Sequence, residues 1–175
     1  MDELAGRRVL DMLNIKYLLV PWPFRQPGYE LVSRHRELLK PGEIFLYRNQ
    51  HVLPREYQVL AAKVIPDREA VYQYIFSRRF DPVREVVLEE PVAAPGGYWF
   101  KSEWFYPGWK AFVDGKETKI YRANYMFRAI PLPVRWQKVE FKYEPLSFRL
   151  GGLITLLTLF GLGAVAFFLR RNRPV

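Results

Sequence analysis

The amino-acid sequence predicts an α+β fold: a small mixed α/β region, then an antiparallel β-sandwich-like sheet, then one C-terminal transmembrane helix. Three observations carry this. Leu150–Leu169 reads LGGLITLLTLFGLGAVAFFL, twenty residues without a charge. At about 1.5 Å per helical residue this matches a hydrocarbon core about 30 Å thick. Lys138–Glu144 alternates Val139, Phe141 and Tyr143 with Lys138, Glu140, Lys142 and Glu144, the pattern of an antiparallel strand with one face in a core and one in water. Before residue 90, short runs with helical and strand periodicity follow one another closely, as in α+β proteins.

The elements follow in order. Asp2 is placed to cap a short helix whose apolar positions are Val9, Leu10 and Leu13, and Asn14 ends it before a strand-like run, Ile15–Val20. Pro21 and Pro23 stop that strand, and Tyr29–Ser33 and Glu43–Arg48 read as two more. Val52–Ile65 is a strand pair or one long bent strand, Pro66-Asp67 opens a helix with Ala70, Val71, Tyr74 and Ile75 on one face, and Val83–Leu88 returns as a strand. From Tyr98 the pattern is all strand. Trp109, Ala111 and Val113 share a face ahead of Asp114-Gly115, a dipeptide that favours a type I′ hairpin. Glu117–Ala123 and Tyr125–Leu132 are the next two strands, and in the latter Tyr125, Phe127 and Ala129 alternate with Met126, Arg128 and Ile130. The regions are therefore 1–90, mixed α+β; 91–148, antiparallel β; 149–170, the membrane helix; and 171–175, a short basic tail.

The only polar side chains in the apolar stretch, Thr155 and Thr158, can bond back to a carbonyl one turn earlier and so need no external partner. Arg149 on one side and Arg170, Arg171 and Arg173 on the other bracket it as interfacial anchors. A buried core helix is rarely apolar on every face. Positive-inside logic puts the C-terminal arginines in the cytoplasm and the soluble part outside. Met1–Ile15 has no apolar h-region to carry that part across, so the domain is either cytosolic and tail-anchored or the end of a longer chain.

Charge and composition exclude several functions. The chain of 175 residues carries a net +9, but without a Lys/Arg-rich helix, zinc spacing or RNA-binding aromatic signature, so anionic lipid headgroups are a better match than nucleic acid. No cysteine is present, which removes disulfides, thiolate metal sites and cysteine nucleophiles. His35 and His51 stand at no metal-ligand spacing. No phosphate loop, nucleophile elbow or pair of environmentally distinct acids is visible, so no catalytic residue, cofactor or metal is expected.

Two clusters remain as candidate sites for glycan or lipid-headgroup contact. Trp104–Trp109, WFYPGW, contains Trp104, Tyr106 and Trp109. Such rings fill a sandwich core, lie at headgroup depth, or stack on sugars. The second comprises Arg122, Asn124 and Tyr125, with Arg128 close behind. Arg and Asn together hold a phosphate or a sugar hydroxyl by forked hydrogen bonds, though such an Asn more often supplies the positive φ of a tight turn. Asp114 is expected to shape its turn rather than act as a base.

The block SEWFYPGWKAFVDGKETKIYRANYMFRAIPLP, then KVEFKYEPLSFRLG and the terminal span, resembles the carboxyl end of the YfhO-like family of bacterial membrane proteins. LDMLNIKYLLVP, EIFLYRN and LPREYQV resemble that family's preceding soluble region. The resemblance implies part of a polytopic protein similar in organisation to GT-C glycosyltransferases, linked to glycosylation of envelope polymers from a lipid-linked sugar. It also implies upstream spans that deliver the domain outside. The catalytic acid of GT-C enzymes lies near the amino end, so none is carried over. Tyr106, Pro107, Gly108, Trp109, Asp114, Gly115, Arg122, Asn124, Tyr125 and Arg128 match the family block without an assigned chemical role. In two places the sequence departs from the family. Pro91–Phe100 is short for the lead-in to YPGW, which argues against a complete sandwich, and Pro133-Val134-Arg135-Trp136 replaces a glycine turn, which predicts Trp136 exposed or facing lipid. The alternative reading is a free-standing membrane-anchored module that binds glycan or protein.

Overall fold

The computed structural model describes residues 3–36 and 42–171. Asp2, the predicted cap, lies outside them. Helix α1 spans Glu3–Met12 and buries Val9 and Met12. It stops where Asn14 turns into the left-handed region, φ 59°, a conformation that Asn tolerates better than most residues. The Asn14 amide then donates to the Leu53 carbonyl at 2.6 Å.

Strands β1 (Tyr17–Val20), β2 (Tyr29–Arg36) and β3 (Glu43–Asn49) form an antiparallel sheet in the order β1-β3-β2. Alternate residues of β3, Phe45, Tyr47 and Asn49, are buried. Asn49 donates to the Asp11 carboxylate at 2.7 Å and to the Ile15 carbonyl at 3.1 Å, which ties this sheet to α1. Burial pushes the Asp11 carboxyl above its usual range, and the bond from Asn49 opposes that shift. His51 packs over Gly28, where a Cβ would fall 2.3 Å from the imidazole.

The chain continues through β4 (Glu56–Val59), β5 (Ala61–Val64), helix α2 (Arg68–Ile75), β6 (Glu85–Leu88), β7 (Tyr98–Lys101), β8 (Trp109–Val113), β9 (Lys116–Thr118), β10 (Tyr121–Ala123), β11 (Phe127–Pro131) and β12 (Val139–Tyr143). Asp67 caps α2, its carboxylate accepting from the Ala70 amide at 2.8 Å. Six of these strands make one sheet, ordered β4-β7-β11-β10-β6-β5, and β12-β8-β9 make another. The stretch 52–65 is a bent strand: β4 and β5 lie at opposite edges of the large sheet with only Leu60 between them. Consecutive Cα atoms are about 3.8 Å apart, so the sheet curls until its edge strands meet end to end. This sheet also draws strands from both sides of residue 90.

Strand β11 lies between two cores. Phe127 and Ala129 join Phe100, Val71, Ile75, Phe80 and the residues of β6 beneath α1 and α2, while Ile130 and Leu132 pack on Ala111 and Val113 of the small sheet. The run Glu117–Ala123, read as one strand, is two. The chain leaves the small sheet after Thr118 and enters the large one at Tyr121, with Ile120 packed in the second core between them.

Of the two expectations drawn from the departures, the one for Trp136 is corrected. The short lead-in still pairs with the chain just past β11, through Gly96 N to Leu132 O (2.9 Å) and Leu132 N to Gly97 O (2.8 Å). Trp136 is half-buried and meets Trp99 edge-on, ring centres 5.2 Å apart, because an indole beside the second core buries more apolar surface inward than it would outward.

Helix α3 spans Leu146–Arg171, 26 residues or about 39 Å. Its Leu146–Val165 segment is long and apolar enough to cross a membrane and is unburied by the rest of the chain. The Thr155 and Thr158 hydroxyls donate to the carbonyls of Gly151 and Ile154, each at 2.9 Å. Arg171 ends the helix, and 172–175 lie outside the described residues.

Candidate ligand cleft at the foot of the C-terminal helix

The loop between β7 and β8 is clasped against the start of α3. Gly108 has φ +99°, and a Cβ there would lie 3.0 Å from Pro145 Cα. Its carbonyl accepts from the Glu144 amide at 2.7 Å. Pro145 is the residue immediately before α3, so only a glycine lets the WFYPGW loop approach the helix base this closely. Within the loop Trp104 is 71% exposed and Tyr106 62%. Trp109 is half-buried, 5.0 Å from the Tyr143 ring. These aromatics do not fill a core: two face outward, and the third covers an arginine.

That arginine is Arg128. It is 0% exposed, and its guanidinium lies 3.8 Å above the Trp109 ring and 5.1 Å from Phe141. One nitrogen, Nη2, donates to Glu103. The other two, Nε and Nη1, are buried without a hydrogen-bond partner. Burial draws the guanidinium pKa down, and the Glu103 carboxylate draws it back up; an arginine starting above 12 stays charged.

Sheet register explains the strain on this group. Glu56, Lys101, Arg128 and Arg122 stand directly opposite one another on β4, β7, β11 and β10. Three cations thus occupy adjacent strands about 4.8 Å apart, and like charges directly opposite destabilise a sheet. Carboxylates and ring faces relieve the repulsion. Lys101 meets Glu56 at 3.1 Å and Glu103 at 3.7 Å, Arg55 meets Glu103 at 3.9 Å, and Arg122 meets Glu89 at 3.5 Å. Phe141 lies 5.0 Å from the Lys101 ammonium and Phe105 lies 5.0 Å from the Arg122 guanidinium.

A cleft of about 300 Å³ opens over Arg128, walled by Phe105, Tyr106, Trp109, Lys110, Thr118 and Lys119, with Glu117 also on its lining. Its cations outnumber its single carboxylate three to one. At the rim Lys110 pairs with Glu144 at 3.5 Å and Lys119 with Glu90 at 2.7 Å, both exposed pairs of small energetic weight.

Of the seven residues proposed from sequence, Tyr106, Trp109 and Arg128 line this cleft, Arg122 packs on Phe105 at its border, and Trp104 stands outward beside it. Asn124 and Tyr125 are elsewhere. They form a left-handed turn, φ 46° and 76°. The Asn124 side chain is buried, its Oδ1 accepting from the Val87 amide at 2.7 Å and its Nδ2 facing the Met12 sulfur at 3.1 Å. Tyr125 packs on Tyr72, 5.6 Å between ring centres, beside the first core. Asp114 is a turn residue, φ 50°, whose carboxylate accepts from the amides of Gln137 (3.0 Å) and Lys138 (2.8 Å). Sequence reasoning missed Lys101, Glu103, Lys110 and Lys119. The adjacency of Lys110 to Trp109 was visible, but the pairing of Glu103 with Arg128 needed the register. Among the described residues no three His, Asp or Glu side chains converge as metal ligands would.

Residues 106–155 match the family model described as bacterial membrane protein YfhO. The match covers under a third of the chain, and runs from the loop that walls the cleft into the first turns of α3. No curated protein and no solved structure matches the chain. The YfhO-like region and the apolar α3 together fit a membrane protein.

Proposed function

We propose that this chain is the extracytoplasmic C-terminal domain and last membrane helix of a polytopic, glycosyltransferase-like envelope protein. There it positions a lipid-linked sugar or polymer acceptor at the bilayer surface without transferring sugar by itself. The observation that carries this reading is the location of the cleft: its wall is packed on Pro145, one residue before the apolar helix begins. A ligand seated there would lie at headgroup depth, where a lipid-borne head and a soluble polymer can both reach it. Exposed Trp104 and Tyr106 suit that depth, since each ring has an apolar body and a polar edge. The arginines at and beyond the end of α3 favour a cytoplasmic C-terminus and an outward-facing domain.

The test is photo-crosslinking. A benzoylphenylalanine at Tyr106, in the chain expressed in bacterial membranes with its natural upstream sequence, should on irradiation yield an adduct containing a saccharide-bearing lipid. Adducts with bulk phospholipid alone would refute the reading. Protease digestion of the domain in intact cells, and not solely in inverted vesicles, should accompany it. A free-standing anchored module is the second reading, favoured by the fact that both cores are filled by the chain's own strands and helices. Ligand capture that persists without any upstream spans would select it.

A further inference from the structure

We infer that the cleft is a phosphate site anchored by Arg128. A buried arginine serving only the fold would have its donors satisfied, since each buried unpaired N–H forfeits its bond to water. Here Nε and Nη1 have no partner, and the side chain lines a cleft. The stacking of its plane on Trp109 and Phe141 fixes the guanidinium, so its fork is set before a ligand arrives. Glu103 neutralises only part of the charge, because that carboxylate is shared among Arg128, Lys101 and Arg55.

A phosphate fits better than a carboxylate. A terminal phosphate carries nearly two charges and three strong acceptor oxygens, and one that bridges lipid to sugar keeps about one charge and two free oxygens; Arg128, Lys110, Lys119, Tyr106 and Thr118 all line the cleft that would meet it. Both lysines are held by exposed pairs that exchange readily for a new anion. The inference deepens the proposed function, on which it rests for the source of the phosphate, the group that joins lipid to sugar in a lipid-linked donor. A free phosphate supplies the same chemistry, so the two sources are tested separately.

The full chain in phosphatidylcholine vesicles is titrated with inorganic pyrophosphate, and separately assembled in vesicles carrying a polyprenyl phosphate. Binding is followed by intrinsic tryptophan fluorescence, with far-UV circular dichroism to establish folding. Lys110→Gln with Lys119→Gln should weaken binding by about tenfold together, and Arg128→Lys by about tenfold more, each tenfold being about 1.4 kcal/mol. Glu103→Gln should tighten binding, because it releases Arg128 from its competitor while keeping an acceptor in place. Added salt should weaken binding in every case. Should Arg128→Lys fail to fold, the exposed double lysine variant and Glu103→Gln still decide the question. Failure of the wild type to bind either probe overturns the site. Binding of pyrophosphate but not of polyprenyl phosphate keeps the site and removes the lipid carrier from the proposed function. Polyprenyl phosphate binding that is unchanged in folded variants overturns the site and leaves the positioning role standing.

Discussion

Replacing Asn124 separates a turn residue from a ligand residue. Its side chain accepts from the Val87 amide at 2.7 Å, and its own amide donates to the Val87 carbonyl at 2.9 Å, so one residue closes both ends of a bridge between β10 and β6. Asn124→Ala keeps the backbone bond and leaves the Val87 N–H buried and unpaired, a loss of about 1–3 kcal/mol. It also puts alanine at φ 46°, which adds about 1 kcal/mol. Asn124→Gly suffers the first loss without the second. The alanine variant should therefore be about 2–4 kcal/mol less stable than wild type, and the glycine variant about 1 kcal/mol better than alanine. In a chain of this size the alanine change lowers the melting temperature by about 10 °C. Near-ultraviolet circular dichroism of the full chain in detergent, heated with each variant in parallel, measures this. If alanine melts with wild type, or glycine melts below alanine, the account of Asn124 is wrong.

Asp114→Ala removes the acceptor for two amides at the tip of the small sheet and should destabilise by about 1–2 kcal/mol, while Asp114→Asn should recover most of it; thermal melts distinguish them. Gly96→Ala would place a Cβ 1.9 Å from the Pro133 carbonyl oxygen, and should lower stability by about 3 kcal/mol without altering α3. Burial, with a hydrogen bond to Glu85, pushes the Tyr74 hydroxyl from 10.0 up to about 12, and burial pushes Tyr29 to about 12 as well. The folded state holds these protons more tightly than the unfolded one, so their contribution is complete below pH 10 and is lost between 10 and about 12. Tyr74→Phe should flatten that alkaline decline in a pH series of melts.

Local chemistry accounts for what could be read from sequence. Asn14, Asp114 and Asn124 occupy left-handed positions, each a residue type that tolerates them next to a strand or helix end. The alternation at Lys138–Glu144 became β12, and the back-bonding of Thr155 and Thr158 followed from their place in an apolar helix. What could not be read is non-local. Nothing near Lys119 marks a crossing between two sheets, and nothing near Leu60 says that its flanking strands lie at opposite edges. For the same reason the cation row was hidden, since Glu56, Lys101, Arg128 and Arg122 meet only once register is set. Arg122, Asn124 and Tyr125 looked like one cluster because they are adjacent in sequence. The left-handed turn then directs Asn124 and Tyr125 toward the first core, away from Arg128.

The bend at Leu60 matters beyond this fold. Proteins confined to a bilayer meet by diffusion in two dimensions, at local densities far above those in solution, and an open sheet edge there is a template for unwanted pairing. In the large sheet the outermost strands are segments of four residues each, Glu56–Val59 and Ala61–Val64, and each continues into the other. Neither gives a neighbour a long straight ladder to extend. In a domain held beside a bilayer, the large sheet would thereby offer its own copies little to pair with.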